Sequence, residues 1–528
     1  MRLQRLKITS AYKNLNGVEL NFSQAENRTV IIGQNGTGKS NLLEALVAIF
    51  LRLDEGREPI FSYELEYKLG DESLETWMKI KADLDCDDVY QITYFTKVNG
   101  EQLSEPKPLK ISDVKRDKDG LSPYLPRNVF AYYSGPSDRL EKLFFDKRKD
   151  FYQDIIGADS NIRDNIRPFF YAKSFHSQFS LLAFFSARGF PYARKFLKRE
   201  LSISEFESAT FYLKEPVSWG TKDSNNFWGA KGAIRDFLEL LKENAIGPIS
   251  TDEPVKDLFS RKQKTQEVVS YYIPNVANLE SLARNMRPED FFKILEATYL
   301  SGILDRIEIR VSLKGRANGI SFTELSEGEQ QLLTVFGLLQ FTAKRDALFL
   351  LDEPDTHLNP YWAAKYHQIL EMFVPDGFVS HILMTTHHPL SIFELNVEQI
   401  QVVTRSTSSQ KISVSKPEVS PRGMTVNGIL TSDMFGLLTT LDQSTQQLIQ
   451  ERRQLLANND NPDRLRELNN DLEELGYGYI HPDEDYRQFL IARSKYLKFG
   501  EEVASVQARK RLIKSLLKDL GLSGDEVH

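Results

Sequence analysis

Residues Gly33-Gln34-Asn35-Gly36-Thr37-Gly38-Lys39-Ser40 decide the fold class of this chain. The pattern G-x-x-x-x-G-K-[ST] follows the strand-like run TVII and precedes the apolar helical run NLLEALVAIFLRL, the context that a phosphate-binding loop requires. The glycines let successive backbone N–H groups point at phosphate oxygens, and the following helix adds a favourable dipole. We expect Lys39 to reach the β- and γ-phosphates and Ser40 to bind Mg²⁺. The residues expected to contact the nucleotide are Gly33, Gln34, Asn35, Gly36, Thr37, Gly38, Lys39, Ser40 and Asn41.

An acidic strand end follows much later in the chain. The continuous apolar run ALFLL (347–351) is typical of a buried parallel strand, and it ends in Asp352-Glu353-Pro354. A carboxylate at such a position can hold Mg²⁺ through water, and its neighbour can polarise an attacking water molecule. We therefore assign Asp352 to the metal and Glu353 to the general base.

The segment LSEGEQQ (325–331) opens an apolar helix. Ser326 is a good N-cap, and Gly328 permits a phosphate to approach closely. Because the loop at 33–40 already holds a nucleotide, a second phosphate-binding helix start makes sense if it grips the γ-phosphate bound to another subunit. The residues assigned to this contact in trans are Ser326, Glu327, Gly328 and Glu329. The alternative is an ordinary capped helix.

The order of these segments resembles the ATP-binding-cassette (ABC) ATPases of the SMC, Rad50 and RecF type. The resemblance covers residues 1–55 and 301–405, and it rests on four segments: GQNGTGKS, LSEGEQQ, LFLLDEPDTHLNP and TTHHP. It implies ATP and Mg²⁺ as cofactors and a head-to-tail dimer in which Ser326 and Gly328 contact the ATP bound to the partner.

The resemblance also implies roles for the residues around the acidic strand end. The D-loop, Asp355–Pro360, would cross the dimer interface with Asp355 and His357. His387 would sense the γ-phosphate, and His388 is the competing candidate. The catalytic residues are then Glu353, His387 and Lys39.

Two features depart from the SMC and Rad50 pattern. The family usually places a Gln after the β-lobe, whereas the matching segment VFAYYSG (129–135) has none. In the family this Gln contacts Mg²⁺ and the attacking water. Here either Ser134 or Tyr133 takes its place, or the contact comes from another part of the chain, so we expect that hydrolysis could be slow. A β-lobe and an aromatic helical region replace the long coiled coil. Together with the segment GMTVNGILTSDMFGLLTTLDQST (423–445), this is similar to the ATPase component of Septu-type anti-phage defence, also found beside some retrons.

The predicted architecture is an α/β protein: an ABC-type P-loop ATPase head with a β-rich lobe, a helical insertion domain and a helical C-terminal region. We assign residues 1–136 and 301–415 to the ATPase domain, with its β-lobe at 56–136. The insertion would span 137–300, and the C-terminal helical region 416–528.

Composition limits the possible partners. The 528 residues include 67 Lys+Arg and 74 Asp+Glu, a formal charge of −7, which argues against a protein that coats nucleic acid. A local nucleic-acid site stays open, because a basic cluster alternates with aromatic residues; an amphipathic surface helix is the alternative. The basic residues are Arg188, Arg194, Lys195, Lys198 and Arg199. A basic amphipathic helix at 506–520 fits docking on a partner.

Other residues bear on location and on nuclease chemistry. One cysteine, Cys86, excludes a disulfide scaffold, a cysteine-based zinc site and an iron–sulfur cluster. MRLQRLKITSAY carries no secretory signal, and the apolar stretch 169–190 fits a buried helix better than a membrane span, so we expect a cytoplasmic protein without membrane contact. The late acidic run Asp483-Glu484-Asp485 looks like a helix start, so no nuclease site of its own is expected.

The resemblance implies a role in anti-phage defence, in which the ATPase dimer scaffolds and restrains a separate HNH-type nuclease. Retron RNA or DNA, or phage DNA, are the candidate nucleic-acid partners. Two alternatives remain: a RecF- or Rad50-like DNA repair ATPase, and a nucleotide-binding scaffold with little turnover.

Overall fold

The computed structural model describes residues 1–25, 27–71, 73–117, 120–149, 168–186, 191–216, 224–256, 263–342, 346–373, 379–406, 410–458 and 461–475. The chain divides into two compact units. The first contains residues 1–424 together with Asp433–Phe435, and the second contains residues 425–432 and those from Gly436 onward. The acidic run at 483–485 and the basic segment at 506–520 lie outside the described residues.

Strands of the first unit are, in chain order, β1 (Arg2–Ile8), β2 (Val18–Asn21), β3 (Arg28–Gly33), β4 (Tyr63–Asp71), β5 (Leu74–Ala82), β6 (Tyr90–Val98), β7 (Glu101–Gln102), β8 (Lys107–Leu109), β9 (Asn128–Tyr133), β10 (Phe169–Ala172), β11 (Ile203–Lys214), β12 (Ile246–Lys256), β13 (Gln263–Ile273), β14 (Leu304–Leu313), β15 (Ile320–Ser321), β16 (Ala347–Asp352), β17 (His381–Thr385), β18 (Ile400–Arg405) and β19 (Ile412–Ser415).

The α-helices of the two units are α1 (Lys39–Glu55), α2 (Ile111–Val114), α3 (Arg139–Leu143), α4 (His176–Ser186), α5 (Pro191–Arg199), α6 (Gly232–Asn244), α7 (Val276–Leu282), α8 (Pro288–Leu300), α9 (Glu327–Thr342), α10 (Pro360–Ala364), α11 (Tyr366–Phe373), α12 (Val426–Thr431), α13 (Gln443–Asn458) and α14 (Pro462–Glu474). Short 3₁₀ turns lie at Ser224–Gly229, Phe322–Glu324, Pro389–Ile392 and Val397–Gln399.

The central sheet positions the site. Its strand order is β10-β9-β16-β17-β3-β18-β19, and the pairs are parallel except for the last. Every residue of β3 and β16 is buried, as the apolar runs at 29–32 and 347–351 predict for strands covered on both faces. β17 lies between β3 and β16, so the phosphate loop and Asp352 end up at the same carboxyl edge of the sheet.

A second, antiparallel sheet forms the β-lobe. Its order is β2-β1-β4-β5-β6-β7, with β8 also paired to β6. Helix α1 is buried around almost its whole circumference, and its apolar side chains share one core with this lobe and with Leu348 and Leu350 of the central sheet. The first two strands of the chain belong to the lobe, whereas β9, inside the range 56–136 assigned to it, pairs with β16 in the central sheet.

The predicted helical insertion at 137–300 needs correction. It contains helices α3 to α8, but also the strands β10 to β13, and three of these strands join an antiparallel sheet of order β12-β13-β11-β14-β15. The strand β11 pairs with β14, about a hundred residues further along the chain, and that partner is invisible to a local hydrophobic pattern. Part of the apolar stretch 169–190 is a buried helix as expected: α4 packs its phenylalanines against aromatic rings of α8 and α9.

The second unit is helical in its described part. Helix α13 and helix α14 are joined by a short connection and are linked by an ion pair, in which Arg464 Nε lies 2.8 Å from Glu451 Oε1. Leu468 and Leu472, one helical turn apart on α14, are buried. These helices lie within the range 416–528 that the sequence analysis assigns to a helical C-terminal region.

Candidate nucleotide site

The phosphate loop has the conformation that its glycines allow. Gly33 has φ +152°, and a Cβ there would lie 2.2 Å from the carbonyl oxygen of Val403. Gly38 is the N-cap of α1 in the left-handed region and offers no side chain to cap the helix. The first backbone N–H groups of α1 are therefore available to an anion, as an empty helix N-terminus is in nucleotide-binding loops.

Lys39 is folded back into this loop. Its ammonium Nζ donates to the carbonyl oxygens of Gly33 at 2.8 Å and Gln34 at 3.2 Å, and the side chain is buried. Burial lowers the pKa of Lys39, while the nearby carboxylates of Glu353 and Asp352 act in the opposite direction. The Lys39 ammonium can exchange its hydrogen bonds to these neutral carbonyl oxygens for a stronger one to a charged phosphate oxygen.

Asp352 lies at the end of β16 beside the start of α1. Its carboxylate accepts a hydrogen bond from Thr385 Oγ1 at 2.5 Å, and the hydroxyl of Ser40 is close enough to act on its pKa. Burial raises the pKa of Asp352, so a bound cation would stabilise its charged form. A buried carboxylate next to a loop serine is the donor set that Mg²⁺ takes in P-loop proteins, where phosphates and waters complete the shell. Ser40 and Asp352 therefore fit this ion.

Glu353, the next residue, is bonded to His387. Its Oε1 lies 3.2 Å from the Nδ1 atom of the imidazole. The hydrogen bond lowers the pKa of Glu353 and raises that of His387. Glu353 has φ +51°, a left-handed conformation that is unusual for this residue type, and its N–H donates to the backbone and side-chain oxygens of Thr385 at 3.1 Å.

His388 makes different contacts. Its Nδ1 accepts from the backbone N–H of Leu390 at 3.3 Å and so caps the turn at Pro389–Ile392. Burial lowers the pKa of His388, the opposite direction from His387. Of the two histidines, His387 is the one that contacts the acidic strand end.

The segment 325–331, here called the signature segment, starts α9, the signature helix, and its first turn at 326–329, the signature turn, carries a reciprocal cap. The Glu329 carboxylate accepts from the Ser326 backbone N–H at 2.7 Å and from its hydroxyl at 2.9 Å, and the Glu329 N–H donates to Ser326 Oγ at 3.3 Å. An ordinary capped helix would show the same bonds. The turn also touches the D-loop of its own chain: Glu327 Oε2 lies 3.3 Å from His357 Nδ1.

Within the D-loop, the two expected interface residues differ. Asp355 is buried, and its Oδ2 accepts from Thr386 Oγ1 at 2.6 Å; burial raises its pKa. His357 keeps 38% of its side chain exposed. In this chain the Asp355 carboxylate serves an internal contact with the strand end that carries His387, and His357 is the residue presented at the surface.

The end of β9 lies beside the two carboxylates. The backbone N–H of Ser134 donates to the Asp352 carbonyl oxygen at 3.3 Å, and its hydroxyl donates to Thr356 Oγ1 at 3.3 Å. Burial raises the pKa of Tyr133, with Asp352 and Glu353 acting in the same direction. Both candidates for the missing glutamine therefore line this part of the site.

Four contributing residues were missed by sequence reasoning. Thr385 and Thr386 bond the two buried aspartates, and the repeated Thr before the histidines was the available signal. Asn14 donates to the carbonyl oxygen of Gly36 at 3.3 Å and accepts from Asn41 at 2.6 Å, although nothing local to it indicates this role. Gln331, within the signature segment, contacts the acidic strand end through the carbonyl oxygen of Glu353.

The basic cluster is an amphipathic helix in its described part. On α5, Phe196 is fully buried and packs edge-on against Phe336, so its ring is not available for stacking on a base. Arg194 Nη2 lies 3.4 Å from Glu280 Oε1. Lys195, Lys198 and Arg199 remain exposed, while Arg188 lies outside the described residues.

A phosphate loop, a neighbouring acidic strand end and its histidine at one edge of a parallel sheet are the arrangement of an ABC-type P-loop ATPase. The chain belongs to the family described as "AAA domain, putative AbiEii toxin, Type IV TA system", whose model matches residues 28–392. Within the described part of the chain, no helix is long and apolar enough to cross a bilayer.

Two curated proteins are similar to this chain. The Septu protein PtuA of Bacillus mycoides (strain KBAB4) is 27% identical over 263 residues, which are 47% of this chain and 36% of that protein. The chain thus spans about a third of the length of this relative. The probable ATPase of retron Vc95 from Vibrio cholerae serotype O1 biovar El Tor is 21% identical over 450 residues, 81% of this chain and 78% of that protein.

Among solved structures, the SMC head domain from Thermotoga maritima aligns with 79% of this chain and 100% of that chain. The sequence identity is 14% and the TM-score is 0.32.

Proposed function

We propose that this protein binds and hydrolyses ATP with Mg²⁺ in composite sites formed by two copies of the chain. One observation carries the proposal: Glu353 contacts His387 at the end of β16. Only β17 separates this strand from β3, which leads into the phosphate loop. The Glu353 carboxylate is ionised at neutral pH, and a carboxylate whose direction is fixed by an imidazole can position a water molecule and accept its proton.

Residues of one chain would prepare the reaction. The loop amides of 33–40 would hold the phosphates, and Lys39 would leave the carbonyl oxygens of Gly33 and Gln34 for phosphate oxygen. Ser40 and Asp352 would hold Mg²⁺, which when bound neutralises charge on phosphate oxygens. Glu353 would orient the attacking water and take its proton, and His387 would fix the direction of that carboxylate.

The second copy would complete each site. In the proposed head-to-tail dimer, the partner's Ser326 and the partner's Gly328 would face the γ-phosphate, with Glu327 and Glu329 in the same turn. His357 would lie near the dimer interface because its side chain is partly exposed. The proposed domains are 1–136 with 301–415, 137–300 and 416–528, except that the sheet of the second continues through β14 and β15.

The biological setting comes from the relatives. One relative is named a Septu protein and the other a probable retron ATPase. These names support a role in a bacterial anti-phage system. In this role the ATPase dimer would scaffold and regulate a separate HNH-type nuclease. Retron RNA or DNA, or phage DNA, remains a candidate ligand through Lys195, Lys198 and Arg199, which are exposed on α5.

A scaffold with little turnover is the second candidate. It is favoured by Tyr133 and Ser134, which stand where the resemblance predicts a glutamine. In that case nucleotide binding alone would act as the switch. A RecF- or Rad50-like repair role predicts that DNA stimulates hydrolysis by the isolated protein.

The decisive experiment measures phosphate release by the full chain with Mg²⁺-ATP, with EDTA and with added duplex DNA. Turnover that needs Mg²⁺ supports the ATPase, and binding without turnover supports the scaffold. Co-expression with neighbouring genes, followed by a phage challenge, tests the defence role. Copurification of an HNH protein and phage resistance are expected; their absence together with DNA-stimulated hydrolysis would favour repair.

A further inference from the structure

Gln331 lies where four elements of the nucleotide site meet. It is in the second turn of α9, five residues after Ser326, and its side chain is buried. Its Nε2 donates to the carbonyl oxygen of Glu353 at 3.5 Å, and its Oε1 accepts from the backbone N–H of His357 at 3.3 Å. Tyr132, near the end of β9, is close enough for Gln331 to oppose the rise in the Tyr132 pKa that burial causes. One amide therefore hydrogen-bonds the acidic strand end and the D-loop from the signature helix, beside the end of β9.

The same region holds the signature turn directly against the D-loop. A Cβ on Gly328 would come within 2.6 Å of the His357 carbonyl oxygen, so the helix backbone and the D-loop backbone are in contact there. Glu327 reaches the His357 imidazole from the same turn. No side chain separates the two backbones at this point. A displacement of the signature turn toward the D-loop must therefore move the backbone of His357.

Gln331 carries this contact further, to Glu353. The residue Glu353 has φ +51°, a conformation that costs free energy and persists only where its surroundings hold it. Its peptide N–H is bonded to Thr385, and its carbonyl oxygen accepts from Thr356 Oγ1 at 3.0 Å and from Gln331. Gln331 is the one of these three partners that belongs to the signature helix.

The geometry points to Gln331 as a positioning residue that couples the signature turn of one chain to the general base of that same chain. A partner's nucleotide bound at Ser326–Gly328 would then set the position of the Glu353 carboxylate through the Gln331 amide. The inference deepens the proposed function and rests on it. Both hydrogen bonds are longer than the usual distance of about 2.9 Å, and such bonds often shorten when the substrate complex forms.

The coupling predicts a separation of turnover from binding. Gln331 contacts neither the phosphate loop nor Lys39 in the described structure, so its loss should leave ATP affinity unchanged. A displaced general base slows the chemical step, and a shift of about 1 Å can cost about 100-fold in rate. Q331M keeps the length of the side chain but removes both the donor and the acceptor. Q331E keeps the acceptor toward His357 and loses the donor toward Glu353.

A matched control is available in Gln401. This side chain is also buried, and its Nε2 donates to the carbonyl oxygen of Asn21 at 2.9 Å, a contact with β2 and not with the phosphate loop, the acidic strand end or the D-loop. Q401M therefore removes one buried amide hydrogen bond from the same unit of the protein. The experiment measures kcat and KM for phosphate release, the affinity and stoichiometry of ATP binding, and Tm, for the full-length wild type and the three variants.

We expect Q331M and Q331E to lower kcat by about 10- to 100-fold, with KM, ATP affinity and binding stoichiometry within twofold of wild type. Q401M should lower Tm to a similar extent and keep kcat. If Q331M fails to fold, Q331E decides, because it is nearly isosteric with glutamine. A kcat within threefold of wild type in a folded Gln331 variant overturns the coupling and leaves the proposed function standing. A wild type that binds Mg²⁺-ATP without hydrolysing it overturns both.

Discussion

Glu353 and His387 are in direct contact, with 3.2 Å between the carboxylate Oε1 and the imidazole Nδ1, and form an ion pair when the imidazole is protonated. The pair joins the end of β16 to the segment after β17, two neighbouring strands of the central sheet. It gives the proposed general base a fixed direction, and the hydrogen bond lowers the pKa of its carboxyl group. The predictions for Glu353 and His387 depend on this arrangement.

Removal of the charge on Glu353 should stop turnover without removing ATP. E353Q keeps the size of the side chain but cannot accept the proton from water, so we expect kcat to fall by about 100-fold or more. The ATP-bound dimer should then accumulate and be visible by size-exclusion chromatography with light scattering. The control is E66Q, on the β-lobe at a distance from the site. Equal hydrolysis by wild type and E353Q would show that Glu353 is not the general base.

The ion pair should also make stability depend on pH in a predictable direction. The pKa of His387 is raised in the folded protein. Its contribution to the free energy of unfolding is therefore full below the ordinary pKa of 6.5 and is lost as pH rises through the folded-state pKa. The pKa of Glu353 is lowered, so its contribution is present above 4.5 and is lost as pH falls through its folded-state pKa. The pair is therefore fully formed between pH 4.5 and 6.5.

The measurement is urea unfolding of wild type and H387N at pH 5.5 and 8.5, in buffer free of magnesium and nucleotide. The loss of stability in H387N should be larger at about pH 5.5 than at about pH 8.5. H388N is the matched control, because burial lowers the pKa of His388 and its neutral form is favoured. The advantage of wild type over H388N should instead grow as pH rises. The same trend in both variants would contradict the ion pair.

Lys39 should be required for nucleotide affinity. K39A removes the buried ammonium that lies on the carbonyl oxygens of Gly33 and Gln34, and hydrogen bonds from a charged donor contribute about 1.5–3 kcal/mol each. We expect ATP affinity to fall by about 100-fold, measured by calorimetric titration. The control is K79A, which removes an exposed lysine from β5. Unchanged ATP affinity in K39A would refute the role of the phosphate loop.

The nucleotide site was predictable to the extent that its residues are local in sequence. The loop at 33–40 and the strand end at 352–353 are each flanked by an apolar run that becomes a buried strand, so both their type and their edge of the sheet follow from pattern. The insertion was not predictable in this way. Its strand β11 pairs with β14, and helices α6 to α8 lie between these two strands in the sequence. The local hydrophobic pattern therefore indicated helices and did not reveal the strand pairing.

Contacts between segments were also beyond the sequence. Gln331 belongs to a quoted motif, but its bonds to Glu353 and His357 depend on how α9 lies against β16. Asp355, which the resemblance assigns to the D-loop, is buried and accepts a hydrogen bond from Thr386 within its own chain. A carboxylate in a loop can face outward or inward, and tertiary packing decides between them.

A methyl group on Gly328 should separate nucleotide binding from turnover. In G328A the new Cβ would lie within 2.6 Å of the His357 carbonyl oxygen, a backbone atom that can move only with the D-loop. Overpacking of this kind costs about 1–3 kcal/mol, and the displaced turn would no longer present Ser326 to a partner's ATP. We expect kcat to fall by about tenfold or more while each chain still binds ATP through the phosphate loop. The control is S321A, which removes the N-cap of the preceding 3₁₀ turn and costs about 1 kcal/mol without touching the D-loop. Turnover equal to that of S321A would mean that the close approach of Gly328 to His357 has no part in hydrolysis.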